Sequence, residues 1–313
     1  MTAPDETGTA SGTVRPDARA PGSTDGAATL TVVRAGALTT VQDGGRTGWA
    51  HLGVARAGAL DEPARLLANR LLGNDPGAAV LETTMTGCAV RADRDMVAVV
   101  GGAVCRVTVD GRPAAWGAPV RVPAGAVLDA GPALSGVRGC LAFDGGGLLP
   151  EPVLGSRSAD LLSGLGPPPL HDGDELPVGR APERGVPALP VAAPWPGAPA
   201  VLVLPVRLGP RDAWFTPGAL RTLFTAAYRV SAQSNRIGLR TEGPALARVR
   251  DGELPSEGMV LGAVQVPPDG RPVVFLNDHP TTGGYPVVGV VAAPALAAAA
   301  QAAPGTPVRF VPA

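Results

Sequence analysis

Leu30-Thr-Val-Val-Arg-Ala-Gly-Ala-Leu-Thr-Thr-Val-Gln-Asp-Gly-Gly-Arg46 carries the pattern from which the fold is read. Two short β-branched runs, 30–34 and 38–42, are broken by Gly36 and followed by an Asp-Gly-Gly turn. That is the pattern of strands joined by tight turns. It recurs at 79–84, 96–100, 104–109, 120–122, 126–128 and 139–143, with Asp110-Gly111 as a hairpin turn signal. After position 200 it resumes at 201–208, 238–241, 262–266, 273–277 and 287–291. Many short strands at even spacing predict a mainly β protein of barrel or sandwich type.

Three helices interrupt this pattern. The clearest covers 60–73, where Asp61 caps, Pro63 fits the first turn, Ala64, Leu67, Ala68, Leu71 and Leu72 share a face, and Gly73 with Pro76 stops it. The second starts at Thr216-Pro217, with Leu220, Leu223, Phe224, Ala227 and Tyr228 as its apolar face. The third is short, over 295–303. Each half therefore reads as strands around one main helix. Residues 1–28 lack large apolar side chains and read as a disordered tail. The two domains are then 29–180 and 201–313, joined by 181–200, a stiff, exposed connector with six prolines.

Composition narrows the chemistry. The 26 basic residues are all arginine, so a Schiff-base lysine, a Walker A lysine and a biotinyl lysine are excluded on this chain. A net charge of −1 gives no reason to expect nucleic acid or an acidic membrane as partner. Cys88, Cys105 and Cys140 form no Cys-x-x-Cys pair, and three buried thiols of a cytoplasmic protein are expected. His51, His171 and His279 are too scattered to suggest a metal site, and none is assigned. Residues 280–308 carry no charge, but Pro286, Pro294, Pro304 and Pro307 break them, so no membrane span is expected.

Polar, glycine-studded stretches are the candidates for chemistry. In the first, Asp43-Gly-Gly-Arg46, the alternatives are a ligand site and a hairpin with a local ion pair. The second, Ser231-Ala-Gln-Ser-Asn-Arg-Ile-Gly238, offers Ser234, Asn235 and Arg236; the arginine either forks onto a carboxylate or phosphate ligand or pairs with a core carboxylate. The third joins Gln265 to Asn277-Asp-His-Pro-Thr-Thr-Gly-Gly-Tyr-Pro286. There Asp278, Thr281, Thr282, Gly283 and Gly284 are either a tight turn or an anion-binding nest. Glu82, inside an apolar strand, is either a paired structural carboxylate or an acid/base raised by burial.

In order and spacing these stretches, with Gly58-Ala-Leu-Asp61, Gly73-Asn74, Gly155-Ser156, Asp160-Leu161, Asp172-Gly-Asp174, Gly209-Pro210 and Ser256-Glu-Gly258, resemble one family over 29–313. It is the carboxyltransferase-like family of the 5-oxoprolinase C-type subunits, the allophanate hydrolase subunit 2 proteins and the matching segment of urea carboxylase. Two positions depart from it: Pro280 stands where the family has glutamine, and Ser231-Ala-Gln-Ser replaces Ser-Pro-x-Ser.

The resemblance implies two cyclophilin-like β-barrel domains and a hetero-oligomer with a B-type homologue and an A-type hydrolase, each a separate chain. It implies ATP-dependent opening of 5-oxo-L-proline to L-glutamate, this chain helping to phosphorylate the lactam oxygen and being inactive alone. On that reading Arg46, Arg236 and the Gly283-Gly284 turn supply anion donors, and Asp43 or Asp278 holds any Mg²⁺ that accompanies ATP. The alternatives it implies are a carboxyltransferase acting on urea or a similar amide, with biotin supplied by another chain, and a non-enzymatic, Kip-type partner of a kinase-inhibitor protein.

Overall fold

The computed structural model describes residues 28–180, 193–209, 211–250, 252 and 254–313. Almost all of the expected tail, residues 181–192 of the expected linker and Pro210 lie outside the described residues.

The first half is a curled nine-stranded sheet. Its main path runs Thr39–Gln42, Val80–Thr84, Val127–Phe143, Cys88–Ala92, Ala28–Arg34 and Glu175–Val178. Met96–Val109 pairs along Val127–Phe143 and carries Arg112–Ala114 and Pro119–Val122 on its far side. The sheet does not close into a ring, and its ends are covered instead. Leu170 N–H and Ala159 N–H bond the free edge of Thr39–Gln42, each at 2.9 Å. Leu148 bridges both Ala79, at the head of Val80–Thr84, and Val178, in the last strand of the path. Covered edges leave no row of free backbone groups to recruit another strand.

The second half closes. Its barrel runs Leu202–Leu208, Val287–Val291, Ala263–Gln265, Val273–Phe275, Gly238–Glu242, Tyr228–Val230 and Pro307–Pro312, and the last strand returns parallel to the first. The chain thus forms the expected mainly β protein of two barrel-like halves, the first curled and the second closed. Each encloses its own apolar core, one around Leu30, Leu81, Leu141 and Phe143, the other around Leu204, Leu223, Val264 and Phe310.

The helices fall where their caps put them. Helix α1 spans Glu62–Leu72 and Asp61 accepts from Ala64 N–H at 3.1 Å; α2 spans Pro217–Thr225 and Thr216 accepts from Ala219 N–H at 3.0 Å. Helix α3 is Leu296–Gln301. The α2 face is shorter than expected, because the chain leaves the helix at Thr225 and Tyr228 begins a strand, edge-on to Phe310. Among the described residues no helix is long and apolar enough to cross a membrane.

The end of the connector is anchored rather than free. Trp195 donates its indole N–H to Gly117 O at 2.8 Å and lies 5.6 Å from the Trp116 ring. A Cβ at Gly101 would stand 2.1 Å from the Trp195 ring, so only glycine admits this contact. All three cysteines are free; Cys88 and Cys140 are buried and Cys105 half-buried, and burial pushes the Cys88 thiol up to about 12.

Candidate functional site

The two halves meet on the segment 57–61, which leads into α1. Ala57 N–H bonds Asn277 O at 3.1 Å, and the Asn277 amide donates to Gly58 O at 3.2 Å and Ala59 O at 2.9 Å. Behind this contact lies Arg236, 1% exposed. Its guanidinium forks onto Asp278 at 2.9 and 3.0 Å, donates to Gly58 O at 2.8 Å and pairs with Glu82. Glu82 in turn accepts from Leu60 N–H at 2.7 Å. Burial alone would lower the Arg236 pKa, but the charges of Glu82 and Asp278 raise it, so the guanidinium stays protonated.

A second buried cluster adjoins it in the first half. Asp43 accepts from Ser156 Oγ, Ser158 Oγ and Arg157 N–H, all at 2.6 Å, and from Gly45 N–H at 2.8 Å. Burial would raise its pKa, yet these four donors hold it below the usual 3.8. Arg46 is 2% exposed and donates to Ser158 O and Val153 O. Burial lowers its pKa against the pull of Asp160, Asp43 and Asp278, and its Nη1 has no partner among the described residues. Leu161 N–H reaches Asp278 at 3.3 Å and links the clusters.

The structure thus brings Asp43, Arg46, Arg236 and Asp278 into one buried network. It does so as a clamp between halves rather than as an open anion site. Arg236 spends its fork on Asp278 and Glu82, partners 42 and 154 residues away in sequence, and Glu82 is a paired carboxylate. Ser234 and Asn235 serve the loop that aims Arg236. The Ser234 hydroxyl accepts from Arg240 N–H at 3.0 Å, and Asn235 Oδ1 accepts from Ile237 and Gly238 N–H at 2.9 and 3.2 Å.

The remaining candidates lie apart. Thr282-Gly283 pairs with Glu257-Gly258 as a small ribbon, Thr281 O accepts from Met259 N–H and Gly284 O from Leu254 N–H. Gln265 is buried beside Gly283 and donates to Tyr285 O at 3.3 Å. Arg211 braces the ribbon through Glu257. Between network and ribbon sits His279, stacked on Phe275 with Nδ1 2.7 Å from Pro280 O; burial lowers its pKa.

An open cleft of about 270 Å³ lies on the other side of the 57–61 segment. Arg56, Glu62 and Asn277 are its polar lining, and Leu60, Leu66 and Leu261 form much of its wall. Sequence reading did not single out Arg56 or Glu62. Asn277 was visible in the polar run before Asp278, but nothing along the chain shows that it faces Gly58. A larger hollow of about 500 Å³, between α1 and Pro194 and Pro196, adjoins the cleft and shares Pro63 and Leu66 with it.

Residues 52–312 match the family described as carboxyltransferase domain, subdomain A and B. The chain belongs to that family. Among curated members of this carboxyltransferase-domain family, the C-type subunit of Escherichia coli 5-oxoprolinase is 38% identical over 285 residues, 90% of each chain. Urea amidolyase of Lachancea kluyveri is 32% identical over 90% of this chain and 17% of its own. The solved protein TTHA0988 superimposes with a TM-score of 0.82 at 37% identity, over 96% of this chain. The present chain spans 60% of TTHA0988, so the carboxyltransferase-domain fold is there part of a longer polypeptide.

Proposed function

We propose that this chain is the C-type subunit of an ATP-dependent 5-oxoprolinase, a cytoplasmic hetero-oligomer that opens 5-oxo-L-proline to L-glutamate. The observation that carries the reading is its 38% identity to the C-type subunit of Escherichia coli 5-oxoprolinase over 90% of both chains. The chemistry is consistent with a device of several chains. A lactam carbonyl is a poor electrophile, and transfer of a phosphoryl group to its oxygen makes the carbon open to water. In this proposal the present chain binds and orients the lactam, a B-type homologue completes the site, and an A-type hydrolase adds the water.

Among the described residues, Asp43 and Asp278 do not fit a magnesium site. The oxygens of Asp43 are taken by four donors and those of Asp278 by Arg236 and Leu161, and no group of three metal-ligating side chains occurs among the described residues. No step is therefore routed through a metal held here. The test is reconstitution of this chain with its A-type and B-type partners, following glutamate from 5-oxo-L-proline with and without ATP. Glutamate that requires all three chains and ATP supports the reading. Glutamate formed at full rate without this chain overturns it.

A second reading is favoured by the match to urea amidolyase: a carboxyltransferase acting on urea, with carboxybiotin delivered from another chain. Biotin-dependent turnover of urea, with no response to 5-oxo-L-proline, would select it.

A further inference from the structure

We propose that the cleft beside the 57–61 segment binds a small molecule carrying both a carboxylate and an amide N–H, with Asn277 taking the N–H and Arg56 the carboxylate. The choice of a lactam acid as ligand rests on the proposed function. The site itself rests on the geometry.

Asn277 supplies the first observation. It is 7% exposed, and both hydrogens of its amide are directed at the carbonyls of Gly58 and Ala59. Two carbonyl acceptors fix which end of the amide is nitrogen. Oδ1 is then an acceptor of set orientation with no partner among the described residues, on a side chain that lines the cleft. Oδ1 is not among the enclosed unbonded atoms, so it stands open to a donor placed in the cleft. A ligand N–H is such a donor; a ligand carboxylate or carbonyl is not.

Arg56 supplies the second. Its Nη2 makes two long contacts, 3.3 Å each, to Gly44 O and Glu62, while its Nε is enclosed and unbonded and its Nη1 has no partner among the described residues. Glu62 is shared with Arg65, at 3.6 Å, so one carboxylate answers two guanidinium groups. Glu62 and Pro63 also belong to the first turn of α1, whose N-terminal end favours negative charge. An incoming carboxylate therefore meets the unpartnered Nη1 of Arg56 and competes with Glu62 for that guanidinium.

Size and walls set the rest of the ligand. At about 270 Å³ the cleft falls just below the ~300–1,000 Å³ of drug-sized pockets. Leu60, Pro63, Leu66, Leu261, Pro294 and Leu296 give it apolar walls for a compact ring. A five-membered lactam acid satisfies all three conditions at once.

The experiment is a calorimetric titration of the full chain with 5-oxo-L-proline, 2-pyrrolidinone, which lacks the carboxylate, and 3-oxocyclopentanecarboxylate, which keeps the ring carbonyl and lacks only the N–H. The expected result is saturable binding of 5-oxo-L-proline, with each analogue weaker by about tenfold or more, as loss of one charged or buried hydrogen bond implies. Arg56→Gln should weaken 5-oxo-L-proline by a similar factor and leave 2-pyrrolidinone unchanged. Leu261→Trp fills the cleft without touching a polar group and should abolish binding of all three. Absence of saturable binding, equal affinity for 3-oxocyclopentanecarboxylate, or binding indifferent to both substitutions would overturn the proposal. Binding that behaves as expected in a chain dispensable for glutamate formation would leave the site standing and remove only the oxoprolinase reading.

Discussion

The two sides of the Gly58-Ala59 peptide put the same kinds of residue to opposite uses. On one side Arg236, Glu82 and Asp278 face only one another and the backbone, and solvent reaches almost none of them. On the other side Asn277 and Arg56 hold partly spent hydrogen-bonding capacity toward an open cleft. Gly58 O accepts from both sides, from Arg236 and from Asn277, so the clamp fixes the floor of the cleft. Residue type alone would rank Arg236 and Asp278 as the site. Counting the donors and acceptors left unspent beside an open cleft ranks Arg56 and Asn277 instead.

The sharpest way to break the comparison is Arg236→Ala. It leaves Glu82 and Asp278 buried without their cation, and loss of one member of such a set costs about 3–5 kcal/mol. Urea unfolding should show that loss. Unchanged stability with lost activity would return Arg236 to the ligand side of the comparison. Gln301→Leu comes next. Its amide accepts from Val137 and Arg138 N–H and donates to Asp61 and Arg138 O, binding α3 to the first half. Stranding those groups should cost roughly 2–3 kcal/mol in the same assay.

Smaller effects sharpen the boundary of the network. Ser158→Ala removes one donor to Asp43 and the acceptor for Asp43 N–H, and should cost about 1–2 kcal/mol. The pH dependence follows from the same carboxylate. Its folded pKa lies below 3.8, so its contribution is fully present above that value and is lost as pH falls through the folded pKa. Acid unfolding curves of Ser158→Ala should show a weaker loss in that window than the parent. Arg211→Ala, at the surface brace of the ribbon, should leave the unfolding midpoint unchanged while speeding amide exchange at Gly258 and Met259.

What could be read from the sequence was what is set locally. Asp61 and Thr216 cap their helices because capping needs only the next three residues. Asp110-Gly111 turns the hairpin between Met96–Val109 and Arg112–Ala114 because positive φ is a property of those two residues. The long strands Met96–Val109 and Val127–Phe143 were each read as two, since irregular pairing at 102–107 and a proline and glycine at 132 and 136 interrupt their apolar pattern without ending them. Cys88–Ala92 and Pro307–Pro312 were missed because their order depends on neighbours far along the chain.

The site follows the same rule. Asp43, Arg46, Arg236 and Asp278 were visible as charged residues in glycine-rich settings, but whether an arginine is spent or free depends on partners that only the fold supplies. Arg236 meets Glu82 across 154 residues, and Asn277 meets Gly58 across 219. No local pattern encodes either meeting.

The most direct measurement is the shift of the unfolding midpoint with 5-oxo-L-proline, taken in parallel on the parent chain and on Leu261→Trp. Ligand bound only by the folded state adds stability as RT ln(1 + [L]/Kd). The account predicts a rising midpoint for the parent and a flat one for Leu261→Trp. Equal rises in both would place the ligand elsewhere on the molecule and contradict it.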